Sequence, residues 1–419
     1  MSADRNGRRR VVITGMGAIS PLGVTVDELW QGLAEGRSGI GYVQSVDTSV
    51  YPVKIAGEVR GFNPEQYMDR KEGRRMARFS QFAVAASEEA VRGAGLGPGS
   101  VDPERMGVLL GNGYGGLPNT DEAVRTIVNR GGMRVDPFFM PKALPNMAAA
   151  AVTVHHQAKG YIGTIVTACA AATQAMGEAT NVIRRGDADV MLTGGTEAGI
   201  CELGMASFCV MKVLSTRHDD PTRASRPFDA KRDGFVSSEG AGIFVIEELE
   251  HAQARGAPIL AEIIGFAATA DAYHIVAPCA DGDGAARCMR LALRDAGVAP
   301  EEIDYINAHG TSTQLNDASE TRAVKSALGE HAYQVPLSSS KSMLGHALGA
   351  SGALESIACV KTFQTGIIHP TINYEYPDPE CDLDYVPNEK RKQDVRVILK
   401  NSFGFGGQNA CLVFRRYED

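Results

Sequence analysis

No stretch of this 419-residue sequence stays apolar for the roughly 20 residues that a membrane-spanning helix needs. A membrane protein is therefore not expected. The N-terminus, MSADRNGRRR, runs straight into VVITGMG without the apolar core of a signal peptide, so the expected location is cytoplasmic. None of the eight cysteines (Cys169, Cys201, Cys209, Cys279, Cys288, Cys359, Cys381 and Cys411) stands in a CxxC pair. That spacing speaks against a disulfide framework and gives no sign of a metal site, so reduced thiols are expected. A surplus of positive charge is missing too: the formal net charge is −8, which argues against nucleic-acid binding. What is present, 44% hydrophobic and 22% charged residues, is the composition of a folded globular chain. Its length calls for two domains or one large layered one. One basic cluster stands out, MDRKEGRRMARF, with Arg70, Lys71, Arg74, Arg75 and Arg78. On charge alone it reads as a solvated helix start; a landing surface for an acidic partner is the alternative.

Short β-branched runs alternate with helical patterns along the whole chain. VVITG, MGVLLG, GTIVT and ADVMLTGG in the first part are separated by segments such as VTVDELWQGLAEG and ACAAATQAMGEATNVIRRG. Strands without polar alternation are buried on both faces, so the pattern predicts an α/β protein with helices on either side of its sheet. After GIFVIEEL and EHAQARG a second series begins at PILAEIIGFAA and ends with VILKNSFGF and NACLVFRR. The shared rhythm suggests a duplicated fold, with halves 1–257 and 258–419. No Pro/Ser-rich linker marks the seam, so tight packing between the halves is expected.

Cys169 stands where GTIVT gives way to an alanine-rich helix. Unpaired N–H groups and the dipole of a helix start stabilise a thiolate, so a lowered thiol pKa is expected there. The same N–H groups can hold an oxyanion. A lone cysteine in an apolar stretch is more often inert core. Two histidines change that reading. INAHGTST places His309 after a strand, and SSSKSMLGHALG places Lys341 and His346 in a loop rich in glycine and serine. Strand ends are where open α/β sheets build their sites. NSFGFGGQN flanks Phe403 and Phe405 with glycines, which reads as a plain turn or as a loop able to move an aromatic ring.

Together with GDADVMLTGGTE, SRPFDAKRDGFVSSEGAG, DAYH at 271–274 and SSKSMLGH, these segments resemble the elongating β-ketoacyl-[acyl carrier protein] synthase branch of the condensing enzymes over essentially the whole chain. The resemblance implies a thiolase-like fold, a duplicated αβαβα architecture of five layers, and a homodimer. It also implies a decarboxylative Claisen condensation of fatty acid chain elongation. Cys169 would carry the acyl chain as a thioester, and His309 and His346 would donate hydrogen bonds to the enolate that malonyl decarboxylation leaves. Lys341 would keep His346 from protonating, paired with Glu355, for which an exposed helix glutamate is the plain alternative. The N–H groups of Cys169 and Phe405 would form the oxyanion hole. Thr311 and Thr313 match threonines that bind a phosphopantetheine arm, which arrives on the carrier protein, so no cofactor of the chain's own is implied. Phe139, Phe208 and Phe403 match positions around the arm and acyl pocket. Acyl carrier proteins are acidic, so the basic cluster together with Lys212 becomes a candidate docking surface.

The sequence departs from the family in three places. ACAAAT lacks the Ser or Thr common after the nucleophile. Tyr114 in GNGYGG replaces a smaller residue and is expected to shorten or reshape the acyl pocket. Gln314 replaces a proline, expected as a local loop difference. A type II polyketide ketosynthase shares every motif quoted. A non-catalytic chain-length partner would have lost the nucleophile. A thiolase would carry a second catalytic cysteine near its C-terminus, where this chain has GFGGQN, and an initiating synthase would pair histidine with asparagine.

Overall fold

A computed structural model describes residues 4, 7–97 and 99–418. The β-branched runs form a sheet of ten strands: β1 (Val11–Ile19), β2 (Met106–Gly111), β3 (Ile162–Ile165), β4 (Val190–Glu197), β5 (Gly240–Glu248), β6 (Ala261–Ala270), β7 (Tyr305–Asn307), β8 (Leu337–Ser338), β9 (Val397–Gly404) and β10 (Gln408–Arg415). Across the sheet the order is β8-β7-β9-β10-β6-β1-β5-β4-β2-β3. Each half thus has the same topology. In the first, β2 runs parallel to β3 and β4, while β5 is antiparallel to β4 and β1. In the second, β7 runs parallel to β8 and β9, while β10 is antiparallel to β9 and β6. The rhythm in the sequence is therefore a repeat of topology. The halves join where β1 meets β6, antiparallel, through Val12–Glu262 and Ile13–Ala261.

The main helices of the first half are α1 (Arg78–Gly93), α2 (Leu117–Arg130), α3 (Phe139–Ala143), α4 (Met147–His156) and α5 (Ala171–Arg184). Those of the second are α6 (Asp283–Ala296), α7 (Gln314–Leu328) and α8 (Ser351–Thr365). The helices α1 and α4 cover the outside of the first half, and α6 and α7 the outside of the second. Between them, α5 and α8 pack against each other and against strands of both halves. These are five layers, αβαβα. Separate apolar cores fill the two outer interfaces, and one continuous core from Val11 to Phe414 fills the middle.

The middle layer explains the alanine run. Ala170, Ala171 and Ala172 are fully buried, and Gly111 at the end of β2 lies against this backbone. A Cβ on Gly111 would come within 2.3 Å of the carbonyl carbon of Ala171. Small residues let the start of α5 sit directly on the sheet, which fixes Cys169 at the seam of strand and helix. One expectation needs correcting. GTIVT is no buried strand: β3 is the outermost strand of its half, and Ile162 is 52% exposed.

Candidate active site

The segments that follow β3, β4, β6, β7, β8 and β9 converge on one cavity of about 440 Å³. Cys169, His309, His346, Phe403 and Phe405 line it, with Thr311, Thr313 and Lys212 towards its other parts. Ala168, just before the cysteine, has φ +49°, a conformation that costs a non-glycine residue about 1–2 kcal/mol. Cys169 then sits in a single 3₁₀ turn, Ala168–Ala170, that leads into α5. The hairpin between β9 and β10 lies against this turn. At Gly404 a Cβ would come within 2.8 Å of the Thr167 carbonyl oxygen and 3.2 Å of the Cys169 nitrogen. That approach aims the N–H of Phe405, as well as that of Cys169 itself, at the sulfur. The two donors expected to form an oxyanion hole are thus side by side.

The thiol does not behave as the helix start alone would suggest. Burial pushes it up to about 12, while Lys341 and the Phe405 N–H pull it down without overcoming burial. The resting sulfur is a thiol, because the desolvation of a fully buried anion exceeds what two N–H groups and a nearby ammonium return.

The histidines are oriented by partners that can be read atom by atom. A backbone N–H can only donate, and that of Leu348 reaches His346 Nδ1 at 3.3 Å. Nδ1 is therefore unprotonated, accepting also from the Ser351 hydroxyl at 2.8 Å, and the ring proton sits on Nε2. That Nε2 has no hydrogen-bond partner among the described residues. For His309, the Lys341 ammonium lies 3.4 Å from Nδ1 and donates to the backbone carbonyl at 2.6 Å, which again leaves the proton on Nε2. The rings meet edge to face with centroids 5.5 Å apart. Burial, and after it the charges of Lys341 and Lys400, hold both imidazoles well below the usual histidine range. Lys341 thus acts on both rings, and burial outweighs it.

Glu355 is no exposed helix glutamate. It is 1% exposed and pairs with Lys341. Thr311 and Thr313 share a hydrogen bond of 2.9 Å on the cavity wall. Thr313 caps α7 by accepting from the Asn316 N–H, so Gln314 occupies the first position of a helix and not a loop. Proline is favoured at that position, where its missing N–H has no helical partner to lose.

Three expected pocket residues are placed otherwise. Phe208 and Tyr114 do not line the cavity; they pack behind Cys169 in an apolar cluster with Met205 and Leu348. Their rings are 6.1 Å apart, and Gly199 makes room for Tyr114, since a Cβ there would lie 2.7 Å from the phenol ring. The space beyond the sulfur is filled. Phe139 opens the short helix α3 after an exposed segment and does not reach the cavity of its own chain. In the basic cluster, Arg70, Lys71, Arg74 and Arg75 are exposed. Arg70 pairs with Glu65 and Arg75 lies over the Phe138 ring. Arg78 is committed to Glu239 through paired hydrogen bonds, so it supports the fold there.

Several functional groups escaped the sequence reading. The Glu320 carboxylate accepts the N–H groups of His309 and Gly310 at 2.8 and 2.7 Å, fixing the turn that presents the imidazole. Glu197, at the end of β4, accepts from Gly113 and Gly349 at 2.8 and 3.2 Å; burial pushes it up to about 8. Lys400 lies fully buried on β9. Its signal in the sequence is a lysine directly after the apolar run VIL of a strand, VILKNSF. Outside the site, Glu88, His155 and His156 form a cluster of possible metal donors, in which His155 pairs with Glu88 and His156 with the Ser87 hydroxyl.

The lowered imidazole pKa values generate a test. Both side chains should remain neutral Nε2–H tautomers as pH falls through 6.5, the ordinary histidine value. Proton–nitrogen correlation spectra of ¹⁵N-histidine protein would show this; imidazolium signals at that pH would contradict the arrangement.

Comparison with known proteins agrees with this geometry. The model of the β-ketoacyl synthase N-terminal domain matches residues 8–252, and that of the C-terminal domain residues 260–375. The chain is 50% identical over 411 residues to the 3-oxoacyl-[acyl-carrier-protein] synthase 2 of Synechocystis sp., covering 98% of this chain and 99% of that protein. It is 48% identical over 410 residues to the synthase of the same name from Staphylococcus aureus, with coverage of 98% and 99%. Among solved structures, a β-ketoacyl synthase from Burkholderia phymatum superposes with a TM-score of 0.91 at 40% identity, covering 98% of this chain and all of that one (100%). A type II polyketide ketosynthase, solved with its acyl-carrier protein and a bound hexaketide, gives 0.90 at 38%, with coverage of 98% and 100%. The chain belongs to the β-ketoacyl synthase family.

Proposed function

We propose that this chain catalyses the condensation of malonyl-[acyl carrier protein] with an acyl chain held on Cys169, giving 3-oxoacyl-[acyl carrier protein] in fatty acid elongation. The observation that carries this reading is the single cavity in which one buried thiol, two N–H donors beside it and two neutral Nε2–H imidazoles face the same space. The Cys169 sulfur attacks the acyl thioester, its proton leaves with the carrier's phosphopantetheine thiol, and the acyl group stays on Sγ. Malonyl thioester then loses CO₂. The electron pair of the broken C–C bond becomes an enolate whose charge rests on the thioester oxygen, where the Nε2–H groups of His309 and His346 meet it. Donors are what this step needs, and a neutral imidazole supplies one without a base. The enolate carbon attacks the acyl carbonyl, whose oxyanion lies between the N–H groups of Cys169 and Phe405. Collapse expels Sγ as a thiolate, which takes its proton from water. Losing one donor of such a hole typically costs about 3 kcal/mol.

Thr311 and Thr313 would bind the amides of the pantetheine arm along the cavity wall, with Phe403 against the His309 ring at 5.6 Å. The reaction calls for no cofactor of the enzyme's own. Higher identity to the elongating synthases, 50%, than to the polyketide ketosynthase, 38%, supports fatty acid elongation over the polyketide reading. Tyr114 sets the acyl side short. Its ring fills the space behind the sulfur, and its buried hydroxyl has no hydrogen-bond partner among the described residues.

For docking of an acidic carrier, Lys71, Arg74 and Lys212 are the strongest candidates, since they are exposed and form no ion pair among the described residues. A homodimer is supported by the edge strand β3 and the helices beside it. Ile162 on the strand and Val154 on the adjoining α4 expose apolar surface there, at 52% and 69%, and a bare edge strand is a template for pairing with a second copy.

The reaction is tested with acyl-carrier proteins of graded chain length, followed by intact mass. Cys169→Ala should abolish the acyl-enzyme while malonyl decarboxylation persists, and His309→Ala should do the reverse. Acylation of Cys169→Ala would refute the assignment. In the same assay acylation should fall with chain length, and Tyr114→Ala should extend the tolerated length. Carrier binding should weaken as salt rises and in Lys212→Glu; an affinity indifferent to both would remove the docking surface. In sedimentation, the wild type should run as a dimer and Ile162→Lys as a monomer.

A further inference from the structure

Lys400 has no part in the steps above, yet it is 0% exposed and lies at the centre of the molecule. An ammonium has three protons, and three oxygens take them. These are the Thr173 hydroxyl at 3.0 Å, the Asn401 carbonyl at 2.9 Å and the Ser402 hydroxyl. A fourth oxygen, Oε2 of Glu355, lies 2.8 Å away as an ion-pair contact off the hydrogen-bond line. The other oxygen of that carboxylate, Oε1, belongs to Lys341. Thr173 and Ser402 also bond to each other at 2.8 Å.

The partners come from three separate parts of the site. Thr173 is on α5, four residues and about one helical turn beyond Cys169. Asn401 and Ser402 belong to β9, which ends in the hairpin of Phe403 and Phe405. Glu355, on α8, holds Lys341 at the His309 carbonyl. We propose that Lys400 is a positioning residue of the condensation: a tethered cation that locks the turn of α5 behind Cys169 to the strand carrying the Phe405 donor and to the carboxylate shared with Lys341. The proposal rests on Cys169, His309 and His346 being the reacting groups.

Its charge has a second consequence. Lys341 and Lys400 leave their shared carboxylate one positive charge in excess, in a buried cluster that also faces Cys359, Cys411, His309 and His346 and includes the Glu320 carboxylate, which accepts the His309 and Gly310 N–H groups and the Asn401 amide. Burial holds the Lys400 ammonium below the ordinary lysine value, and Glu355 offsets part of that. Removing Lys400 takes away part of what disfavours the two imidazolium ions, so both histidines should titrate higher.

Two variants separate these effects from a simple packing defect. Lys400→Met keeps the stem and removes the charge; Lys400→Ala opens a space for a small free amine. We expect kcat for elongation to fall about 100-fold in both, the scale of a displaced reacting group, with little change in KM for the carrier. Methylammonium should restore a substantial share in Lys400→Ala and none in Lys400→Met. In ¹⁵N-histidine spectra of the substrate-free Lys400→Met protein, His309 and His346 should titrate at higher pH than in the wild type. Wild-type kcat in both variants would overturn the proposal. So would loss of activity in Lys400→Ala without amine rescue, with unmoved histidine titrations in Lys400→Met. The titration needs no substrate, and a wild-type enzyme that forms no acyl-Cys169 would instead indict the function itself.

Discussion

One buried carboxylate holds the site together. A lone glutamate in a protein interior is costly, and so is a lone lysine. Glu355 lies between two of them, with Lys341 on one oxygen and Lys400 near the other. Removing Glu355 would leave two uncompensated ammonium groups in the buried core, and removing either lysine would leave one carboxylate oxygen without its cation, so the three are fixed as a unit. From that unit the rest follows. Lys341 reaches the backbone and the ring of His309, and Lys400 reaches the helix that follows Cys169. The surplus positive charge and the burial together keep the imidazoles uncharged. A neutral ring with a fixed tautomer is a directional hydrogen-bond donor, which suits an oxygen that becomes negative only during reaction.

The scaffold delivers these groups by repetition. Two copies of one topology, paired edge to edge at β1 and β6, bring equivalent strand ends to the same region. Cys169 follows β3, and Lys341 and His346 follow β8, the strand in the equivalent place. The middle helices touch both halves, so the site sits where the repeats meet, and neither half contains it alone.

Much of this was written plainly in the sequence. Apolar runs gave the strands, the two series gave the repeat, and strand-end residues gave Cys169, His309 and His346. These features depend on local pattern or on residue types with few other uses. What the pattern concealed depends on depth. GTIVT reads as a buried strand because its residues are β-branched, yet β3 lies at the sheet edge, where Ile162 and Val166 are half exposed. The thiol pKa could not be read from a helix start, since burial sets its direction and burial is a property of the whole fold. Glu320, Glu197 and Lys400 look like ordinary charged residues in a linear reading. Their roles come from partners that only the fold brings to them: the His309 turn for Glu320, Gly113 and Gly349 for Glu197, and Thr173 and Glu355 for Lys400. Phe139 and Phe208 match family positions, but where a ring points depends on packing that a motif does not record.

The high-lying thiol of Cys169 also bears on what happens to the enzyme between turnovers. Peroxide and soluble electrophiles attack the thiolate, and here that form is scarce. A sulfur that becomes nucleophilic only as its proton departs towards a bound thioester is shielded from indiscriminate oxidation by the same desolvation that makes it sluggish. The burial of this seam of strand and helix thus weighs on oxidation of the sulfur as well as on its nucleophilicity.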